Sequence, residues 1–323
     1  MALMADATSS STTIDARDGK PINLHVWQPS SPPSPASDQG TPTAVVQIAH
    51  GMGEHIQRYS DLAEHLSNHG YWVYGNNHRG HGPEYAANPG AMGPDGWNQT
   101  LADMHEVNLK IQQRHPNLPR VLLGHSMGSM LTSQYLYRWG HELDAVVLSG
   151  TPGFGHPVQV LMLSVLANIE RWRHGQDGAS DLLQKLLFAD ANTPFDGPNA
   201  SGYEWLSRDS EQVERYVQDP LCGFVLSAGS LVDMARGRRE AVRASNLRSI
   251  PKQLPIYLIS GTDDPVHDNQ KNINRMINAY RGVGVNPEVN LYPQGRHELF
   301  NETNREQVLA ELVTWLDAQL CTA

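Results

Sequence analysis

Arg120-Val-Leu-Leu-Gly-His-Ser-Met-Gly128 is the stretch that decides the fold. The apolar run after Arg120 has the length and composition of a buried strand. Beyond it, Met127, Met130, Leu131, Gln134, Tyr135 and Arg138 recur at steps of three and four, which predicts a helix. A Gly-x-Ser-x-Gly between a strand and a helix is the signature of a nucleophile elbow, with Ser126 at its tip. The serine of such an elbow sits in a strained turn. Side chains at Gly124 and Gly128 would collide with neighbouring backbone, so both positions need glycine.

Outward from the elbow, short apolar runs alternate with helix-length segments. The runs are Ala44-Val-Val-Gln-Ile-Ala49, Trp72-Val-Tyr-Gly75, Val121-Leu-Leu-Gly124, Ala145-Val-Val-Leu148 and Ile256-Tyr-Leu-Ile259. Such alternation predicts an α/β fold with a mostly parallel sheet covered by helices on both faces. Thr13-Ile-Asp-Ala-Arg17 and Ile22-Asn-Leu-His-Val-Trp27, joined by Asp18-Gly19-Lys20, read as an antiparallel hairpin at the sheet edge. Ser30–Pro42 is rich in Ser and Pro and reads as a surface loop. Glu288-Val-Asn-Leu-Tyr292 is a last strand, followed by an amphipathic helix from Glu302 to Leu320.

The alternation breaks between residues 153 and 247, where helix-like segments occur without a convincing strand. That is too long for a loop. Three segments follow: a core from 1 to 152, a helical cap from 153 to 247, and the rest of the core from 248 to 323. The cap is expected over the carboxyl ends of the strands, where open α/β sheets bind ligands.

A serine hydroxyl needs a base to take its proton and an acid to orient that base. The loop after Ile256–Ile259 carries Asp263-Asp264-Pro265; Asp264 is the leading acid, with Asp263 and Asp268 as alternatives. His297 follows the last strand in Leu291-Tyr-Pro-Gln-Gly-Arg-His297, a position from which its ring reaches the serine. His267 lies too near the acid to bridge it to Ser126, and the His125 side chain is expected to point away from the elbow. Two backbone donors are needed for an oxyanion. Met127 at the helix start supplies one. Met52, in His50-Gly-Met-Gly-Glu-His55 with Gly51 and Gly53 allowing close approach, is the candidate for the other.

These motifs resemble the monoacylglycerol lipase and lysophospholipase branch of the α/β-hydrolases, the Hydrolase_4 type associated with serine aminopeptidase S33. The resemblance runs through the whole core in family order. It includes His50-Gly-Met-Gly-Glu-His55 with Arg58-Tyr59, Asn77-His-Arg-Gly-His-Gly82, Gly124-His-Ser-Met-Gly128, Gly261-Thr-Asp-Asp-Pro265 and Gly295-Arg-His297. It is looser in the cap, around Asp219-Pro-Leu-Cys-Gly223. It implies the α/β-hydrolase fold and the roles Ser126 nucleophile, Asp264 acid, His297 base, and Met52 and Met127 oxyanion donors. His50, Gly51, Gly124, His125 and Gly128 are its supporting positions. Asn77 stands where the family often has Asp, which suits a structural hydrogen bond.

The implied activity is hydrolysis of carboxylic esters through an acyl-serine, with a monoacylglycerol or similar single-chain ester as substrate. A lysophospholipase and an acyltransferase use the same triad. A non-catalytic ligand receptor on this fold is disfavoured by the intact triad. No metal or organic cofactor is called for. A formal charge of −10 argues against nucleic acid as a partner. Two cysteines do not make a disulfide framework, and the N-terminus shows no signal peptide, so the expected location is cytoplasmic. Leu161-Met-Leu-Ser-Val-Leu166 is a candidate acyl-pocket lining or transient lipid contact, and the cap arginines more plainly make a solvated face than a phosphate site. Nothing in the sequence sets an oligomeric state.

Overall fold

The computed structural model describes residues 8–29, 42–188 and 190–320. The loop expected at Ser30–Pro42 therefore lies, except for Pro42, outside the described residues. Among the described residues eight strands form one sheet: β1 (Thr8–Asp15), β2 (Pro21–Gln28), β3 (Ala44–Ala49), β4 (Tyr71–Asn76), β5 (Arg120–His125), β6 (Ala145–Ser149), β7 (Ile256–Gly261) and β8 (Glu288–Tyr292). Their spatial order is β1-β2-β4-β3-β5-β6-β7-β8. The β1–β2 and β2–β4 pairs are antiparallel and every other pair is parallel. The chain leaves β3 for β4 on one side and returns to β5 on the other, so the sheet reverses its winding between β3 and β5. A cleft opens at such a switch point, beyond the carboxyl ends of the strands.

Helices α1 (Ser60–Asn68), α2 (Gly96–Arg114), α3 (Met127–Trp139), α9 (Lys271–Arg281) and α10 (Arg305–Leu320) flank the sheet. The central strands β3, β5, β6 and β7 are buried almost throughout, as strands covered on both faces must be. On one face α10 buries Val308, Leu309, Leu312, Trp315, Leu316 and Leu320. Between β6 and β7, among the described residues, lie five α-helices: α4 (Pro157–His174), α5 (Asp181–Phe188), α6 (Ser210–Gln218), α7 (Ala228–Ala241) and α8 (Ala244–Ser249). Helix α7 is the buried one of these. Ser227 caps it through its hydroxyl, which accepts from Ser230 N, and Leu231, Val232 and Met234 join the core that includes α3.

Two element starts differ from those expected by more than one residue. Strand β1 starts at Thr8 rather than Thr13, because its backbone pairs with β2 along the whole ladder from Thr8↔Gln28 to Asp15↔Pro21. The residues added are Ser and Thr, so no apolar pattern marks them. Helix α10 starts at Arg305, because the fully buried Glu302 carboxylate is taken up outside the helix, by Arg208 and by the Arg296 and Thr303 amides.

Candidate active site

Ser126 stands between β5 and α3 with φ 51° and ψ −113°, a conformation that costs a non-glycine residue energy. Its flanking glycines have the steric role expected of them. A β-carbon on Gly124 would come within 2.4 Å of Thr132 Oγ1 and 2.5 Å of Gly128 O. One on Gly128 would come within 2.0 Å of Ala49 O. The register places Ala49 opposite Gly124, so the loop after β3 and the elbow after β5 leave the sheet side by side.

His297, 171 residues away in sequence, comes to Ser126 through the loop after β8. Ser126 Oγ donates to His297 Nε2 at 2.9 Å, and His297 Nδ1 donates to Asp264 Oδ2 at 2.9 Å. His297 and Asp264 are 3% and 2% exposed, so both charges would be held in a low-dielectric setting. Asp264 is fixed by its own turn, since Oδ1 accepts from Val266 N at 2.9 Å. Burial would raise the Asp264 carboxyl, but the adjacent His297 turns the net shift downward. Burial likewise would lower the His297 imidazole, and Asp264 more than offsets it, so the ring is a stronger base than an ordinary histidine.

The other acidic candidates are not brought to the histidine. Asp263 is exposed and accepts from Thr262 Oγ1, and Asp268 pairs with Lys271. His267 is buried, with Nε2 donating to Gly261 O and Nδ1 accepting from Gln270 N. His125 makes no hydrogen bond to Ser126, but it does not turn away from the site. Its ring lies 4.8 Å from that of His297 and lines the same cavity, with burial and His297 pressing its pKa down to about 3.

Met52 and Met127 both line this cavity beside Ser126. Met127 opens α3, so its N–H is one of the donors a helix start leaves unsatisfied. Gly51 N donates to Glu54 Oε1 at 2.6 Å, and Gly53 holds φ +67° with Phe224 O where its β-carbon would stand. Gly53 O in turn accepts from Tyr216 Oη at 2.9 Å and Gly223 N at 3.0 Å. His50 lies beneath, its Nδ1 donating to Gly51 O and its Nε2 accepting from His78 N. Asn77 Oδ1 accepts from Ile56 N at 3.0 Å, a bond that an aspartate would make equally well.

Sequence reasoning missed a buried charge network that joins these loops. Arg58 donates to Glu54 Oε2 at 2.6 Å and makes a two-pronged contact with Glu298, 2.7 Å in each arm. Burial would raise Glu298, but the Arg58 guanidinium overrides it and holds the carboxyl down at about 2. Tyr59 Oη donates to the other oxygen of Glu54. The loop that carries Met52 is thereby tied to the residue after His297. Arg58 was legible as part of a motif, but its partner 240 residues away was not. Trp205 was missed as well; its ring lies 5.0 Å from that of His297 and its carbonyl accepts from His297 N.

The cavity over Ser126 measures about 560 Å³. The core contributes Met127 and Met130 to its wall, and the segment between β6 and β7 contributes Leu186, Leu187, Val225 and Met234. The wall also carries Glu54, Asp190, Arg238 and Glu298, and its apolar stretch suits an ester with a hydrocarbon arm. Among the described residues, His55, Asp219 and Cys222 bring three ligand-type atoms within 4.8 Å. His55 Nε2 is already bonded to Asp219 at 2.8 Å, and burial pushes the Cys222 thiol well up, which opposes the thiolate a metal requires.

Residues 40–304 match the model of the family described as Hydrolase_4, serine aminopeptidase, S33. The chain is 28% identical to the monoacylglycerol lipase of Mycolicibacterium smegmatis, over 98% of this chain and 100% of that one. It is 26% identical to the monoglyceride lipase of Homo sapiens, over 95% and 90%. Among solved structures, a highly thermostable carboxyl esterase from Bacillus coagulans, in complex with glycerol, superposes with a TM-score of 0.84. That match is 25% identical and covers 97% of this chain and 99% of that one. A soluble variant of the Saccharomyces cerevisiae monoglyceride lipase superposes at 0.73 over 100% and 98%; at 19% identity it speaks to the fold alone.

Proposed function

Because the chain belongs to the Hydrolase_4 family of α/β-hydrolases, we propose that Ser126, His297 and Asp264 are the triad of its ester hydrolysis. The chain is a lipase-like carboxylic ester hydrolase, in keeping with relatives that are monoacylglycerol and monoglyceride lipases. The observation that carries the triad is the unbroken chain Ser126 Oγ–His297–Asp264, with two contacts of 2.9 Å.

In the proposed mechanism His297 takes the Ser126 proton as Oγ attacks the ester carbonyl, and the Met52 and Met127 amides hold the oxyanion. The imidazolium then gives that proton to the departing alcohol, leaving an acyl-Ser126. Water attacks the acyl-enzyme with His297 again as base, and release of the carboxylic acid restores the serine. Asp264 holds the ring in the tautomer that points Nε2 at the serine. A single-chain ester such as a monoacylglycerol is the proposed substrate, supported by the apolar wall from Met130 to Met234. The segment 153–247, from α4 into α8, is proposed as the cap that supplies much of that wall.

Ser126→Ala tests the reading directly. Hydrolysis of p-nitrophenyl butyrate should fall by about 10⁴-fold or more with the unfolding transition retained. Activity within tenfold of the wild type would overturn the assignment. Lysophospholipid hydrolysis and acyl transfer to glycerol would use the same triad; product ratios in water and in glycerol separate transfer from hydrolysis, and a panel of glycerol, lysophospholipid and alkyl esters separates the substrates.

The proposal extends to contact with a lipid surface. Among the described residues no helix is long and apolar enough to cross a membrane. Helix α4, however, exposes Leu161, Met162, Val165, Ile169 and Trp172, the last at 86%. A cytoplasmic location belongs to the same proposal, supported by the free thiol of Cys222.

A further inference from the structure

Arg238, on α7, lines the cavity over Ser126 and also a second cavity of about 440 Å³ behind it. Met130 is the other side chain shared by the two, so these two residues stand on the partition between them. Of the other arginines of this region, Arg236 pairs with Asp233 and Asp95, Arg173 with Glu170, and Arg171 bonds to Asn168, while Arg239 and Arg243 are exposed to solvent. Arg238 is half-buried, and among the described residues no carboxylate or hydrogen-bond acceptor meets it. Arg239 and Arg275 also line the second cavity, and no Asp or Glu does. Gly155 keeps the space before the guanidinium open, since a β-carbon there would come within 3.2 Å of Arg238 Nη2.

An arginine does not lose its charge, so a desolvated guanidinium without a counter-ion is a standing cost that a bound anion removes. Burial without compensation lowers its pKa, a shift in the direction that an anion would reverse. The planar fork of donors matches the oxygens of a carboxylate or a phosphate.

We propose that Arg238 is a specificity-determining residue that binds an anionic group, a carboxylate or a phosphate, carried by the ester substrate on the arm that reaches the partition beside Met130. This rests on the reading of Ser126 as an ester-cleaving nucleophile. Among single-chain esters, it makes those with a negative terminus better substrates than neutral ones such as a monoacylglycerol. The negative charge stands either on the acyl arm or on the alcohol arm.

The test uses two matched pairs of esters. p-Nitrophenyl hydrogen adipate and its methyl ester place the charge on the acyl side. 1-Butyrylglycerol 3-phosphate and 1-butyrylglycerol place it on the alcohol side. In the full-length protein, kcat/KM should favour the charged member of one pair by about tenfold, and the pair that responds identifies the arm. Arg238→Met should reduce that charged-to-neutral ratio about tenfold, chiefly through KM, and Arg238→Lys should retain part of it. Because both members of a pair are assayed on the same sample, partial misfolding of a variant cancels. Inorganic phosphate should inhibit the wild type and lose that effect in Arg238→Met. Equal ratios in wild type and Arg238→Met for both pairs would overturn the proposal, as would equal inhibition of the two proteins by phosphate. Failure of the wild type to turn over any of the four esters overturns the ester-hydrolase reading itself, and this proposal with it.

Discussion

In the proposed mechanism His297 carries the chemistry, and its environment fixes the pH at which it works. The ring must be neutral to accept the Ser126 proton, and its pKa is raised by Asp264 above the ordinary value of about 6.5. Raising a base's pKa widens the acidic range in which it is protonated and idle. The acid limb of kcat/KM for a neutral ester should therefore fall at an apparent pKa above about 6.5. Asp264→Asn removes the charge that raises it, so the limb should move to lower pH while kcat drops by about 10⁴-fold. Asp263→Asn, at an exposed side chain bonded to Thr262, should leave both nearly unchanged. A larger loss at Asp263 than at Asp264 would reverse the assignment. At this scale much of the site was legible, because each residue follows a strand within a few positions and carries a local motif with it. Arg238 was legible only as one of several cap arginines; whether a cation has a partner is a matter of packing between distant segments.

The elements add precision that the motifs alone do not express. The first turn of α3 rests on the end of β3 at Gly128, where a β-carbon would meet Ala49 O at 2.0 Å and His50 O at 2.7 Å. These are backbone atoms of a sheet strand and of the loop proposed to hold the oxyanion, and they have no rotamer by which to yield. Gly128→Ala should push the Met127 amide and the loop of Met52 apart. The expected loss in kcat is about a hundredfold or more, with KM little changed. Near-wild-type kcat would show that the two donors are not the oxyanion hole. The apolar face of α4 makes a second prediction. The wild type should co-sediment with neutral phosphatidylcholine vesicles, and Met162→Ser/Trp172→Ser should weaken this about tenfold without altering turnover of a water-soluble ester. Equal sedimentation of the two proteins would place the contact elsewhere. Helix α4 was visible in the sequence as an apolar segment, but which of its side chains face outward depended on how it seats on α7.

Across the whole molecule, buried histidines set the stability against acid. His50, His78, His81 and His125 are at most 4% exposed. Burial holds His78 and His125 at about 3 and His81 at about 4, with neighbouring histidines pressing further on His78 and His125; His50 lies well below 6.5 for the same reasons. The unfolded chain binds protons on these rings at about pH 6.5 and the folded chain does not. Their contribution is complete above pH 6.5 and is lost as pH falls toward 4. At pH 5 each ring costs about 2 kcal/mol, so the denaturant midpoint should drop steeply between pH 6.5 and 5. A flat midpoint over that interval would show that the cluster is solvated. The broad plan of the chain, a mostly parallel sheet interrupted by helices, was readable from the alternation of apolar runs. The pairing of Arg58 with Glu298 and the fit of Gly53 against Phe224 were not, because each joins segments far apart in sequence. The contact of Gly128 with Ala49 has a counterpart where Gly261 meets Gly295 O, at 1.9 Å from its would-be β-carbon. One contact spaces the turn of Ser126 from the loop of Met52, and the other spaces the loop of Asp264 from that of His297. Neither involves a charge, so dissolved ions have nothing in them to screen. Turnover of a neutral ester should hardly vary with ionic strength, whereas an ester held through Arg238 should bind more weakly as salt is added.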